Sequence, residues 1–429
     1  MNIRVKGGQV LSGEIMPSGS KNSAVAVIPA TILFDKKVTL KNIPDITDVE
    51  KIVKIMLKLG SKIEWLKEEG ILIIDNSNLS ILDLGPEDLG KIRGTSLFWG
   101  PILARFKKIN FTGVPSGCSL GYRTLEPHFQ AFEDLGVDIK QKGATVEMFS
   151  NGHRPKELWL KEMSPTTTEN ALMYISSLKE KIRIIGAASE PQVQDLCNLL
   201  IKAGVKISGV GSSILEVQGT DSFSTFEHEI FSDHYEIATF IALAAATKGT
   251  IKVGKSVPEL FKQIAWYFSK FGVEIKYKGE TAEVAAPKRL LIEEDPEKRY
   301  LSIKAQPWPG LPVDILPLFI PFALAAEKGQ VLFHNWMYDS GLFWTDQLQR
   351  LGANILMCDP HRVIVTAGNK LHGAEMEAPY IIRAVVAMLM AAMIADGEST
   401  ILNADALYRG HPDFANKLSS LGASIEEIE

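Results

Sequence analysis

Leu59-Gly60-Ser61-Lys62-Ile63 closes a helix-like segment and opens a strand-like one, and the pattern returns five more times. The further copies are Leu135-Gly136-Val137-Asp138-Ile139, Ala203-Gly204-Val205-Lys206-Ile207, Phe271-Gly272-Val273-Glu274-Ile275, Leu351-Gly352-Ala353-Asn354-Ile355 and Leu421-Gly422-Ala423-Ser424-Ile425. They lie roughly 70 residues apart, and self-similarity at a fixed period marks a repeated structural unit. Glycine takes the left-handed backbone that stops a helix at low cost, and the alternating run that follows suits a half-buried strand. The 429 residues therefore form one α/β unit used six times, divided most simply into two domains of three.

Each unit also carries a helix candidate that is apolar on nearly all sides: Ser23 to Phe34, Ser96 to Phe106, Ala171 to Leu178, Ile237 to Thr247, Ile315 to Ala326 and Ala384 to Ala395. A helix without a polar face must be surrounded by protein, so these six belong in the interior. Asp48 to Leu59 is amphipathic, with Val49, Ile52, Val53, Met56 and Leu57 at helical spacing, and covers a core instead. Short β-branched runs such as Lys37-Val38-Thr39-Leu40, Lys181-Ile182-Arg183-Ile184-Ile185 and Gly249-Thr250-Ile251-Lys252-Val253 follow the apolar helices. Repeat phase sets a domain crossing near Ser232-Asp233.

Polar residues gather where the apolar helices begin: Lys21-Asn22, Arg93-Gly94-Thr95, Thr166-Thr167-Thr168-Glu169, Asp233-His234-Tyr235-Glu236, Asp314 and Arg383. Helix N-termini offer free N–H groups and a positive dipole end, so they bind anions or are simply capped. Lys21, Arg93 and Arg383 oppose the dipole, which counts against a capping role for them. The glycine-rich loop Gly113 to Arg123 holds Cys118 beside a cation, an environment that favours thiolate, while a nearby phosphate pushes the other way and suits a proton donor. Cys197 and Cys358 read as packing residues.

The net charge of −5 carries no global basic footprint of a nucleic-acid binder. Three cysteines are too few and too far apart for a disulfide scaffold or a zinc cluster. Met1 to Lys6 gives way to Gly7-Gly8 before the apolar core of a signal peptide develops, and apolar runs of about twelve residues fall short of the ~20 that span a bilayer. The expectation is a soluble cytoplasmic protein, with no nucleic-acid or membrane partner and an undetermined oligomeric state.

With these residues in hand, the chain resembles the enolpyruvyl transferases along its whole length, from Gly13-Glu14-Ile15 through Ser18-Gly19-Ser20-Lys21-Asn22 to Arg409-Gly410 and Leu421-Gly422-Ala423. The resemblance implies an inside-out α/β barrel fold in two domains, each of three βαβαββ units with buried helices and outer sheets. The implied domains are 21–232, and 1–20 with 233–429, with the active site in the cleft between them. The implied reaction moves the enolpyruvyl group of phosphoenolpyruvate to the 3-hydroxyl of UDP-N-acetylglucosamine and releases phosphate, the first committed step of peptidoglycan synthesis, without cofactor or metal. On this resemblance Lys21, Cys118 and Asp314 are catalytic: the phosphoenolpyruvate lysine, the general acid that fosfomycin alkylates, and the general base. Asn22, Arg93, Arg123, Thr124, Leu125, Glu126, Ser164, Thr166, Arg383 and Arg409 bind substrate.

The chain also departs from the family pattern. Asp339-Ser340-Gly341-Leu342 sets Gly341 where the family carries an arginine, Arg123-Thr124-Leu125-Glu126-Pro127 differs at several positions, and Ser164-Pro165-Thr166 replaces a Ser-Val-Gly. Two alternatives stand beside the main reading. One is transfer to another acceptor, such as another nucleotide or shikimate 3-phosphate; the other is a non-catalytic relative that binds a sugar nucleotide. Lys21-Asn22 and Ile92-Arg93-Gly94-Thr95-Ser96-Leu97 do not match the shikimate pattern. Arg350 is a candidate to replace the missing cation, although its position reads as surface.

Overall fold

The computed structural model describes residues 1–80, 84–89, 92–113, 115, 117, 119–121, 123–297 and 300–428. All six repeat glycines take the left-handed backbone, with φ of 98° at Gly60, 77° at Gly136, 107° at Gly204, 77° at Gly272, 88° at Gly352 and 99° at Gly422. A Cβ would strain each of these turns, which is why the helix stop is written with the same residue every time.

Contacts divide the chain into two compact units. One comprises Gly19–Gly117 and Arg123–Phe231; the other comprises Met1–Ser18, Ser232–Glu429 and loop residues 119–121. Each has its own apolar core. The core of the first is built on helices Lys21–Ala30, Trp99–Phe106 and Pro165–Ile175, and that of the second on His234–Ala246, Leu316–Leu324 and Ile382–Ile394. Every residue of His234–Ala246 and of Leu316–Leu324 is buried, as their lack of a polar face requires. The amphipathic segment forms helix Thr47–Lys58 and buries Val49, Ile52, Val53 and Met56.

The sheets share one plan: a parallel pair at one edge, then two antiparallel strands. In the first repeat Glu227–Glu229 runs parallel to Val38–Lys41, which pairs with Ile71–Asp75 and then Lys62–Leu66. In the second, the parallel edge among the described residues is the bridge from Leu84 to Phe111. The edge strand always comes from the repeat before, and within each unit the last repeat supplies the first. Glu227–Glu229 does this in one unit, and Gly13–Ile15, parallel to Thr250–Val253, does it in the other. In the sixth sheet Asn2–Lys6 lies between Glu398–Leu402 and Ile425–Ile428, with Ile3 opposite both Ile401 and Glu427.

Two sequence expectations need correction. The run Val273-Glu274-Ile275 lies outside the strands; the strand is Lys276–Lys278, paired with Thr281–Ala285. Cys358 is exposed rather than packed, since it sits in the register shift between Met357 and Asp359 that turns the strand outward. Cys197 is buried as expected, and burial, then the charge of Glu169, pushes its thiol up to about 12. No helix among the described residues is long and apolar enough to cross a membrane.

Candidate active site

The residues singled out in the sequence fall on both units. Lys21, Asn22, Arg93, Arg123, Thr124, Leu125, Glu126, Ser164 and Thr166 belong to one, and Asp314, Arg383 and Arg409 to the other. Cys118 lies outside the described residues.

In the unit that begins at Gly19, helix Lys21–Ala30 is capped by Ser20, whose hydroxyl accepts from the Ser23 amide at 3.3 Å. Capping is thus met by a neighbour, and the Lys21 ammonium turns to Asp48 Oδ2 at 2.9 Å. Asp48 is nearly enclosed, with a side chain 3% exposed against 14% for Lys21. Its position in the first turn of Thr47–Lys58 favours the negative charge there, while Lys21 opposes its own helix dipole. The ion pair therefore holds a cation at a helix start that would otherwise repel it. Asp48 carried only the ordinary sequence signal of an acid in a first helical turn.

Arg93 opens the 3₁₀ segment Arg93–Phe98, whose N-cap, Ile92, offers no capping side chain. Its guanidinium donates to the carbonyls of Arg123 at 2.9 Å and Thr124 at 2.8 Å. Arg93 thus orients the Arg123-Thr124 backbone. A Cβ on Gly117 would meet Arg123 Nη2 at 3.3 Å and the Arg93 amide nitrogen at 3.3 Å, so the loop's glycine lets the chain lie against both arginines. Thr124 Oγ1 accepts from the Glu126 amide at 3.1 Å, at the start of helix Glu126–Asp134, and the Glu126 carboxylate pairs with Lys161.

Ser164 caps helix Pro165–Ile175 through the Thr167 amide at 3.4 Å. Thr166 Oγ1 lies 3.2 Å from His128 Nε2, and His128 Nδ1 lies 3.2 Å from Asn170 Nδ2. An amide nitrogen only donates, so Nδ1 is the acceptor and Nε2 carries the proton. Burial, then the nearby charge of Arg93, lowers His128 to about 3, so this ring stays neutral and fixes Thr166. His128 was not legible as part of the site.

In the other unit, Arg383 begins helix Ile382–Ile394, again without a capping side chain. Its Nε is 3.9 Å from Asp314 Oδ2, its Nη1 is 2.8 Å from His411 Nε2, and its Cζ lies 4.8 Å from the centre of the Tyr235 ring. Arg383 is 8% exposed and Asp314, in the turn before Leu316–Leu324, is 31% exposed. The carboxylate is thus open to solvent while the guanidinium is fixed on several sides. Behind them, Glu236 accepts from Lys417 Nζ at 2.8 Å and the Ser18 amide at 2.5 Å, and stands 3.8 Å from His411 Nδ1. Burial would raise Glu236, but the neighbouring His411 and the charge of Lys417 outweigh it and hold the carboxyl at about 2. Asp233 caps helix His234–Ala246 through the Tyr235 and Glu236 amides at 2.8 and 3.1 Å.

Arg409 ends the 3₁₀ segment Ala404–Arg409 and lies over the Tyr380 ring, with Cζ 5.0 Å from its centre. The Tyr380 carbonyl accepts from the Ser119 amide at 3.2 Å. A Cβ on Gly341 would meet Asn335 Nδ2 at 2.3 Å, so a side chain there requires Asn335 to shift. Arg350 is exposed and donates to the Glu375 carbonyl at 3.4 Å, a surface position.

A family model described as EPSP synthase (3-phosphoshikimate 1-carboxyvinyltransferase) matches residues 5–418. The chain is 36% identical over 424 residues to a UDP-N-acetylglucosamine 1-carboxyvinyltransferase of Bradyrhizobium diazoefficiens, covering 99% of this chain and 97% of that protein. It is 37% identical over 423 residues to the protein of that name from Treponema denticola, covering 98% of each. Among solved structures, the enolpyruvyl transferase NikO from Streptomyces tendae has a TM-score of 0.87 at 18% identity, covering 99% of this chain and 98% of its own. An EPSP synthase from Acinetobacter baumannii has a TM-score of 0.75 at 16% identity, covering 99% and 100%. These likenesses establish the inside-out α/β fold, and over the full length the chain belongs to the enolpyruvyl transferase family, beside the UDP-N-acetylglucosamine 1-carboxyvinyltransferases.

Proposed function

We propose that this chain transfers the enolpyruvyl group of phosphoenolpyruvate to the 3-hydroxyl of UDP-N-acetylglucosamine, releasing phosphate in the first committed step of peptidoglycan synthesis. One observation carries the reading: 35–37% identity, over 98–99% of this chain, to relatives named for that activity. The geometry supports it, because Lys21, Arg383 and Arg409 are cations with little exposure beside Asp48, His411 and Tyr380. Such groups suit an enol phosphate that brings both a phosphate and a carboxylate.

The reaction is addition then elimination. The sugar hydroxyl loses its proton toward Asp314 as its oxygen bonds to C2 of phosphoenolpyruvate, while C3 takes a proton from Cys118. The resulting ketal carries phosphate, carboxylate, methyl group and sugar on one carbon. Cleavage of the C2–O bond to phosphate, with loss of a methyl proton, restores the double bond as an enol ether. General acid–base groups of this kind contribute about 10²–10⁴-fold each. Lys21, Arg123, Arg383 and Arg409 neutralise the anions, and Asn22, Thr124, Leu125, Glu126, Ser164 and Thr166 serve the acceptor. The site of action is the cytoplasm, and fosfomycin adds at Cys118.

The test is phosphate release from phosphoenolpyruvate with UDP-N-acetylglucosamine, run beside shikimate 3-phosphate because the family description names that acceptor. Turnover with the sugar nucleotide alone is expected. Turnover with shikimate 3-phosphate alone, or with neither at high enzyme concentration, overturns the assignment.

A further inference from the structure

A guanidinium has donors and no acceptor, so the 2.8 Å contact from Arg383 Nη1 requires a lone pair on His411 Nε2 and leaves the ring proton on Nδ1. That proton faces Glu236 Oε1 at 3.8 Å. His411 and Glu236 have fully enclosed side chains, so neither reaches a substrate directly. Glu236 is itself fixed from two other elements, by Lys417 on helix Phe414–Ser420 and by the Ser18 amide. His411 packs on Phe414 with ring centres 4.8 Å apart. The imidazole therefore has one orientation, and its lone pair has one partner.

We propose that His411 is a positioning residue for Arg383: its neutral ring, held by full enclosure and by packing on Phe414, fixes the plane of the guanidinium so that the remaining N–H groups stay aimed at an anion. This rests on the reading that Arg383 holds phosphoenolpyruvate. Tyr235 beneath the guanidinium and Asp314 at 3.9 Å restrict it further, yet only His411 offers a lone pair within hydrogen-bond distance in these contacts. The charged groups facing the ring are Arg383 from helix Ile382–Ile394, Glu236 and Asp233 from the start of His234–Ala246, and Lys417 beyond Glu236. His234 and Asp314 face Arg383 in turn. Burial, then Arg383, lowers the imidazole from its ordinary range against the pull of Glu236 and Asp233. Neutrality at working pH follows, and protonation would set a proton against the guanidinium.

Steady-state kinetics of wild type, His411→Gln and His411→Met from pH 6 to 9 test the assignment. The Gln side-chain oxygen reaches the place of Nε2 and can accept, whereas Met fills the volume and cannot. His411→Met is expected to raise KM for phosphoenolpyruvate about tenfold, the worth of a hydrogen bond to a charged group, with kcat changed by less than about threefold. His411→Gln should recover most of the loss. An unchanged KM in His411→Met, or equal loss in both variants, overturns the proposal. Should wild type turn over no acceptor, the functional reading fails by itself; calorimetry with phosphoenolpyruvate alone then replaces KM, with the same expected order of affinities. A readout independent of activity is the nitrogen spectrum of histidine-labelled wild type, with the His411 signals identified by their loss in His411→Gln. The Nδ1–H form should persist across the range, and an Nε2–H form overturns the proposal.

Discussion

Replacing Glu236 by Gln removes a charge from a cluster whose carboxylate has no exposed surface. The magnitude can be worked in two ways. Held at about 2 rather than its ordinary 4.5, the carboxyl stabilises the folded state by about 3–4 kcal/mol at pH 7, at about 1.4 kcal/mol per unit. Breaking a buried ion pair by removing one partner costs about 3–5 kcal/mol, and the 18% exposure of Lys417, which lets water reach the orphaned ammonium, points to the lower end. The two agree near 3 kcal/mol, a fall of about 6–12 °C in the unfolding temperature of a unit of this size. Because the folded value is depressed, the stabilisation is present above about pH 4.5 and disappears as pH falls toward 2. Calorimetry or urea unfolding of wild type and Glu236→Gln at pH 7, 5, 4 and 3 measures the difference, which cancels the titration of every other carboxylate. A difference below about 1 kcal/mol at pH 7, or one that stays constant down to pH 3, refutes the argument.

Three other outcomes follow from the geometry. Asp48→Asn removes the carboxylate 2.9 Å from Lys21, so KM for phosphoenolpyruvate should rise by about tenfold or more in phosphate-release kinetics, the worth of a charge-assisted bond. Glu169 is pushed up to about 8 by burial and then by Glu190, so folding takes up a proton between the ordinary 4.5 and 8 and stability falls as pH rises through that window. Glu169→Gln mimics the protonated form; it should match wild type at pH 4 and exceed it by a few kcal/mol at pH 8 in urea unfolding. Gly341→Ala pushes a Cβ into Asn335, which is 2% exposed, and should cost about 1–3 kcal/mol in thermal unfolding, while Gly341→Arg tests whether a restored cation lowers KM despite that clash.

The sixfold repeat was legible because its signals are local. A glycine at the helix end and an apolar helix before a β-branched strand depend on neighbours in sequence, and the six positive φ values answer to that alone. The unusual cations at helix starts were equally legible: Lys21, Arg93 and Arg383 oppose the dipole, and none of them caps its helix. Their partners were not. Asp48 meets Lys21, His411 meets Arg383 and Lys417 meets Glu236 only after the chain has folded, and each alone resembles an ordinary surface or capping residue. The outward turn of Cys358 depends on a bulge formed against the partner strand, so it is not written in its own segment.

The placement of Asn2–Lys6 between Glu398–Leu402 and Ile425–Ile428 bears on biosynthesis. A ribosome releases this strand well before its two neighbours, which arrive about 400 residues later. The unit from Gly19 to Phe231 holds all its strand partners once residue 231 has emerged, and can fold during translation. Its companion must leave Ile3 and Val5 without their strand neighbours until those later segments have been made, so its sixth sheet closes last.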